Sequence, residues 1–209
     1  MIVIGLTGSI GMGKSVAAAM LESMRIPVHE ADDEVHKLLA PGAAGALAVG
    51  KAFPYFGYPQ IYGRKTKSGA RSIKRAALGK IIFADDEKRK KLEKILHPLV
   101  RGAQARFIRK HTNLGAKMVA LDIPLLFETG GESLVHYIFV VSAPYNVQRR
   151  RVLARPGMDE KKFRAILERQ MPDGEKRARA DYVIHTGLGR AQTMKELKAA
   201  LADIRKKHK

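Results

Sequence analysis

The chain has 209 residues, with 39 Lys and Arg against 20 Asp and Glu, so its formal net charge is +19. Hydrophobic residues make up 45% and charged residues 28%, a globular composition that excludes a disordered or fibrous chain. The absence of cysteine excludes a disulfide scaffold, a thiolate nucleophile and a Cys-ligated zinc or iron–sulfur site. The length corresponds to one domain, or to one domain carrying an inserted subdomain. No apolar run approaches the ~20 residues needed to span a bilayer. The N-terminal stretch Met1–Thr7 has no basic segment and runs into glycines, unlike a signal peptide. No membrane attachment and a cytoplasmic location are therefore expected.

Residues 2–7 read as a short buried strand ending in a Gly-rich turn, followed by a helix over 14–24. A second strand is expected over 26–31 and a helix from about Asp32 to Leu39, stopped by Pro41-Gly42. Residues 51–70 carry Pro54, Gly57, Pro59, Gly63 and Gly69 among aromatics and read as irregular structure. From 88 to 108 the apolar positions Leu92, Ile95, Leu96, Leu99, Val100, Ala103 and Phe107 keep a helical period, which Pro98 is expected to break or kink. Residues 118–123 and 137–143 are apolar, β-branched runs of the kind that form strands covered on both faces. Phe163, Ile166, Leu167 and Gln170 share a helical face, and 182–185 reads as a last strand. A final helix is expected to start at the capping-box pattern Thr193-x-x-Glu196, with Lys206, Lys207 and Lys209 in its last turn. Strands alternating with helices imply a parallel α/β sheet.

The positive charge is unevenly distributed. Residues 1–50 hold 3 basic and 5 acidic side chains, and residues 117–140 hold 1 and 3. Residues 51–116 hold 17 and 4, and residues 141–209 hold 18 and 8, so two blocks carry the whole surplus. Such a surplus predicts an anionic partner, either a polyanion or small phosphorylated molecules.

Gly8-Ser9-Ile10-Gly11-Met12-Gly13-Lys14-Ser15 satisfies the G-x-x-x-x-G-K-[ST] pattern of a phosphate loop, set between a strand and a helix. Glycines let the backbone N–H groups curl around phosphates at the positive end of the following helix. Lys14 supplies a point charge for the β/γ oxygens, and the Ser15 hydroxyl is a ligand for Mg²⁺. A dinucleotide fingerprint fits less well, because Val16 stands where its third glycine belongs. The Asn-Lys-x-Asp element that reads guanine is absent.

Glu30-Ala31-Asp32-Asp33 places carboxylates at the C-terminal end of the second strand, the end that faces the ligand crevice in open α/β sheets. A kinase needs a carboxylate there to orient the attacking hydroxyl and accept its proton. Spacing alone allows equally that Asp32 or Asp33 caps the next helix.

Taken together, these motifs resemble those of dephospho-CoA kinases. The resemblance runs through residues 5–15, Glu30-Ala31-Asp32, Arg75-x-x-Leu78 with Ile82-Phe83, and Leu92-Glu93-x-Ile95-x-His97-Pro98. It continues through Asp122-Ile123-Pro124-Leu125-Leu126-Phe127-Glu128, Gln148-x-x-Arg151-x-x-x-Arg155, Gln170 and Ala180-Asp181-Tyr182-Val183-Ile184. It implies a P-loop kinase fold: a five-stranded parallel sheet with flanking helices, a core over 1–50 and 113–150, and a helical acceptor-substrate subdomain over 51–112. Residues 151–172 would form a lid, and 173–209 a C-terminal strand and helix. The implied reaction moves the γ-phosphoryl of ATP to the ribose 3′-hydroxyl of dephospho-CoA.

The same resemblance implies roles for individual residues. Asp32 would be the catalytic base, with Lys14 and Arg151 also catalytic. ATP would contact Gly8, Gly11, Met12, Gly13, Lys14, Ser15, Val16, Arg151 and Arg155. Dephospho-CoA would contact Asp32, Arg75 and His97, and Mg²⁺ would be served by Ser15 and Asp122. Two departures from the family pattern stand out. Glu30 replaces the first acid of an Asp-Ala-Asp, and His185-Thr186-Gly187 lacks the Asn that commonly precedes the glycine.

Two alternatives remain at the level of sequence: a related kinase of another nucleoside-like alcohol, and a P-loop NTPase that binds nucleic acid. The second is suggested by Phe53, Tyr55, Phe56, Tyr58 and Tyr62 beside the basic residues Arg64, Lys65, Lys67, Arg71 and Lys74. No recognised nucleic-acid-binding motif accompanies them, so nucleic acid is not an expected partner.

Overall fold

The computed structural model describes residues 1–67 and 69–208. Strands β1 (Ile2–Thr7), β2 (Val28–Glu30), β5 (Met118–Asp122), β6 (Tyr137–Ser142) and β7 (Tyr182–His185) form one sheet in the order β2-β5-β1-β6-β7. The pairs β1–β5, β1–β6 and β6–β7 are parallel, which establishes the expected α/β class. In β1, β5 and β6 nearly every residue is buried, as a strand covered on both faces requires. Chain order reverses on either side of β1, so the turn that leaves its C-terminal end lies at a topological switch point, where ligands bind in such sheets.

The chain divides into two compact units, one of residues 1–29 and 108–209 and the other of residues 30–107. In the first, helices α1 (Lys14–Ser23) and α9 (Arg190–Lys207) pack on the sheet. Ile4, Leu6, Phe139 and Ile184 meet Ala17, Leu21, Leu197 and Leu201 in its core. Helices α6 (Tyr145–Leu153), α7 (Glu160–Leu167) and α8 (Asp173–Ala178) belong to the same unit. Here α7 is fastened to α6, since Phe163 is fully buried and stacks on Tyr145, and Arg149 pairs with Glu160 at 2.9 Å.

The second unit has its own core of Leu39, Val49, Phe53, Ile61, Ile73, Leu78, Leu92 and Leu96. It is built from α2 (Ala31–Leu38), α3 (Ala44–Ala52), α4 (Arg75–Ala84) and most of α5 (Asp86–Asn113), with a hairpin of β3 (Tyr62–Lys65) and β4 (Arg71–Ile73). The hairpin falls in the stretch expected to be irregular. Its strands are four and three residues long, too short for a period-two pattern to register.

Pro98 neither ends nor divides α5, which is one helix of 28 residues. A proline inside a helix costs about 3 kcal/mol. Burial of Leu92 and Leu96 before it and of Ala103 after it offsets that cost. The C-terminal helix begins at Arg190, earlier than the capping-box pattern suggests, with Gly189 at its N-cap. Thr193 Oγ1 bonds back to the Gly189 and His185 carbonyls, at 3.0 and 2.9 Å. Glu196 accepts the His185 N–H at 2.6 Å. Both side chains pin the end of β7 and do not cap the helix. Lys206 and Lys207 close α9 as expected, whereas Lys209 lies outside the described residues.

Candidate active site

The turn after β1 curls back on itself because two of its glycines hold left-handed conformations, φ 77° at Gly11 and 88° at Gly13. Space forbids a side chain at either position. A Cβ on Gly11 would lie 2.5 Å from Val152 Cγ2, and one on Gly13 would lie 2.8 Å from Thr186 Oγ1. Gly13 also serves as the N-cap of α1, where no side chain caps the helix and no acid sits in its first turn. The helix therefore offers bare N–H groups and the positive end of its dipole, the combination that binds phosphate.

Lys14 and Ser15 open α1, and the Lys14 ammonium pairs with Asp122 Oδ1. Asp122 ends β5, in register with Leu6 of β1, and its side chain is only 5% exposed. Lys14 and Asp122 are thus in contact, and Ser15 follows Lys14 in the first turn of α1. Mg²⁺ favours one or two protein oxygens alongside phosphate oxygens and water. A Ser15 hydroxyl exposed at the second position of α1 and a carboxylate beside Lys14 form an oxygen donor set that fits it.

Arg151, on α6, turns its guanidinium to the end of β7. Its Nη2 donates to the Thr186 carbonyl at 2.7 Å and its Nη1 to Thr186 Oγ1 at 3.0 Å, with a longer contact to the Gly11 carbonyl at 3.4 Å. Thr186 is 5% exposed and donates its own hydroxyl to the Met12 carbonyl at 2.5 Å. A cavity of about 200 Å³ opens beside them, lined by Gly13, Val16, Arg150, Arg151, Thr186 and Gly187. Arg155 lies past the end of α6 with an exposed side chain and makes no contact with this group. Thr186 is the residue that sequence reasoning noticed only as a departure from the family pattern; the structure makes it the hub joining α6, the phosphate loop and β7.

The loop after β7 is held by Glu196. Burial alone would raise the pKa of this carboxyl, but hydrogen bonds from the His185 N–H and from Gln192, with the nearby His185 ring, outweigh that and hold it below the usual value.

In the other unit, Asp32 lies in the first turn of α2, whose N-cap is Glu30 with no side-chain capping bond. The capping role open to Asp32 and Asp33 is therefore not used. Asp32 is exposed, and no hydrogen bond or ion pair holds its carboxylate among the described residues. One turn along α2, His36 Nδ1 lies 3.4 Å from Nη1 of Arg75, the first residue of α4. Positions four apart share a helix face, so Asp32 lies on the same face of α2 as His36, one turn before it. His36 was missed by the sequence reading, and its i,i+4 relation to Asp32 was the available signal. His97 is half-buried on α5, and among the described residues no hydrogen bond links it to His36 or Arg75.

The aromatic residues of this unit separate by burial. Phe53 is 1% exposed, and Tyr58 and Tyr62 pack against the core. Tyr55 and Phe56 are exposed, and Arg71 lies over the Tyr55 ring at 4.6 Å. A depression of about 870 Å³ in the same unit is lined by Tyr58, Lys74, Ala77, Lys80, Ile81 and Lys88.

Residues 2–192 match the family model described as dephospho-CoA kinase. A protein of Paramagnetospirillum magneticum named dephospho-CoA kinase is 50% identical over 203 residues, covering 97% of this chain and 91% of its own. A solved dephospho-CoA kinase from Campylobacter jejuni superposes with a TM-score of 0.71 at 26% identity, covering 99% of this chain and 98% of its own. A crystal structure of a Thermus thermophilus protein gives a TM-score of 0.76 at 34% identity, covering 97% of each chain. With the phosphate loop at the switch point, a lysine–aspartate pair beside it and a match over nearly the whole length, the chain belongs to the dephospho-CoA kinase family.

Proposed function

We propose that the protein transfers the γ-phosphoryl group of ATP to the ribose 3′-hydroxyl of dephospho-CoA, giving coenzyme A and ADP. The observation that carries this reading is the phosphate loop of residues 8–15, with Lys14 against Asp122, in a chain of this family. The loop amides and the Lys14 ammonium bind the β- and γ-phosphates, and the cavity beside Thr186 takes the nucleoside end. Arg151 shapes that cavity, and Arg155, with its exposed guanidinium, meets the phosphates. Ser15 and Asp122 would hold Mg²⁺, which would supply positive charge against the phosphates.

Residues 30–107 take the acceptor. Arg75 and His36 offer positive charge and hydrogen bonds beside Asp32, and the lysine-lined depression suits a pyrophosphate-bearing molecule with an apolar arm. His97 belongs to the same acceptor-binding assignment. Asp32 accepts the proton of the 3′-hydroxyl as its oxygen bonds to the γ-phosphorus. The bond from that phosphorus to the bridging oxygen breaks, and its electron pair leaves with ADP. Little else is asked of the protein than positioning and charge stabilisation. A cytoplasmic setting, where both substrates are at hand, accompanies this reading.

Coupled detection of ADP, with dephospho-CoA present or omitted, tests the reaction. ADP should form in step with a product phosphorylated at the 3′ position. ADP release that ignores dephospho-CoA, or that follows another alcohol or a nucleic acid instead, overturns the reading.

A further inference from the structure

The middle of the phosphate loop is gripped by two glutamines. The Ile10 N–H donates to Gln170 Oε1 at 3.0 Å, and the Ile10 carbonyl accepts from Gln148 Nε2 at 2.8 Å. The Ile10 carbonyl and the Gly11 N–H share one planar peptide, so the Gln148 bond leaves the Gly11 N–H pointing away from Gln148. Gln148 is rigidly placed, since it sits on α6 and is 3% exposed. Gln170 sits beyond the end of α7 and owes its position to the next residue. The Met171 N–H donates to Glu128 Oε1 at 2.9 Å, and the same oxygen pairs at 2.8 Å with the ammonium of Lys176, a lysine with no exposed surface. A buried lysine is tolerated only with its counter-charge, so this pair locks the turn at 170–171 to the segment that follows β5.

We propose that Gln170 is a positioning residue for ATP, and that the Glu128–Lys176 pair acts on the phosphate loop through it. The inference rests on the phosphate loop binding ATP, as argued above. A loop whose peptides are already turned toward the phosphates binds without paying for their reorganisation. Loss of the Gln170 contact frees the Ile10 peptide and weakens the nucleotide, while the acceptor side keeps its residues.

The test is calorimetric titration with ATP·Mg²⁺, together with KM values for both substrates and thermal melts. Gln170→Met keeps the side-chain length and removes the acceptor. It should weaken ATP binding about tenfold, the size of one lost hydrogen bond, with the dephospho-CoA KM close to wild type and the melting temperature lowered by no more than the few degrees that one lost hydrogen bond costs. The double variant E128Q/K176M removes both charges at similar volume, and should weaken ATP to the same degree. Adding Gln170→Met to it should cost nothing further, since the three residues act along one path.

Unchanged ATP affinity in Gln170→Met overturns the proposal, as does a parallel rise in both KM values with a falling melting temperature. Additive losses in the triple variant overturn the role of the buried pair. Should the double variant fail to fold, Gln170→Met alone decides. Wild-type protein that binds no ATP would instead refute the function itself.

Discussion

Arg151 commits both terminal nitrogens to Thr186, one to its hydroxyl at 3.0 Å and one to its carbonyl at 2.7 Å, while that hydroxyl donates to the Met12 carbonyl. A residue of β7's trailing loop thus braces the phosphate loop and orients an arginine in a single contact. Thr186→Val keeps the shape and deletes the hydroxyl, leaving the buried Met12 carbonyl without its donor. The expected cost is about 1–3 kcal/mol in stability, read from denaturant or thermal unfolding, with weaker ATP binding in a titration. Thr186→Ser, which keeps the hydroxyl, should stay close to wild type in both.

Asp32 is exposed and makes no bond to another described residue. Asp32→Asn therefore leaves the fold and the phosphate loop untouched and removes only the carboxylate proposed as proton acceptor. Turnover should fall by about 10²–10⁴, the usual worth of a general base, with ATP binding unchanged by calorimetry. Near-normal turnover in this variant would move the base to another residue, and His36 would be the first to examine.

Legibility in the sequence followed the range over which each feature is determined. The phosphate loop, the five strands of the parallel sheet and the Asp32 segment are local patterns, and the structure reproduces them with shifts of one or two residues. Partnerships across the fold were not legible. Arg151 and Thr186 are 35 residues apart, and only the parallel pairing of β6 with β7 places them side by side. Thr193 and Glu196 carry the letters of a capping box, yet each has a nearer partner in His185 once β7 lies against α9. Likewise Phe53, Tyr58 and Tyr62 looked like a stacking surface because sequence does not reveal that they meet Val49, Ile61 and Leu92 in a separate core.

Gly11 offers a steric prediction. Its φ of 77° is strained for any L side chain, and a methyl group there would lie 2.5 Å from Val152 Cγ2 and 3.0 Å from the Gln148 carbonyl. The left-handed conformation alone costs about 1–2 kcal/mol, and the contact with backbone adds to it. Gly11→Ala should lower the melting temperature and abolish ATP binding, whereas Gly157→Ala, at a left-handed glycine with open space around it, should bring the strain without the loss of ATP.

The Glu196 carboxyl supplies a pH signature. Its folded pKa is held below the ordinary glutamate value, chiefly against burial, by the His185 N–H and Gln192. A depressed folded pKa means that the group stabilises the fold above the unfolded value of about 4.3. That contribution disappears as the pH falls through the lower, folded value. Glu196→Gln should therefore be less stable than wild type near neutral pH, and the gap should close as acid is added. Unfolding free energies measured along a pH series would show it, and a gap that stays constant into acid would assign the anchor to the shape of the side chain and not to its charge.

One substitution separates the observed contact of Asp122 from its proposed role. Asp122 neutralises Lys14 in a pair whose side chains are only 16% and 5% exposed, and in the proposed reaction it would also be an oxygen donor for Mg²⁺. Asp122→Asn keeps an oxygen beside Lys14 and loses the charge, so a largely desolvated ammonium is left with a neutral partner. Stability should drop by about 1–3 kcal/mol. ATP brings its own phosphates to Lys14, which should restore part of that loss, so the thermal shift on adding ATP should be larger in the variant than in wild type. If Asp122 also serves the metal, the Mg²⁺ concentration for half-maximal turnover should rise in the variant. An unchanged Mg²⁺ dependence with the enlarged thermal shift would leave Asp122 as the counter-charge of Lys14 alone.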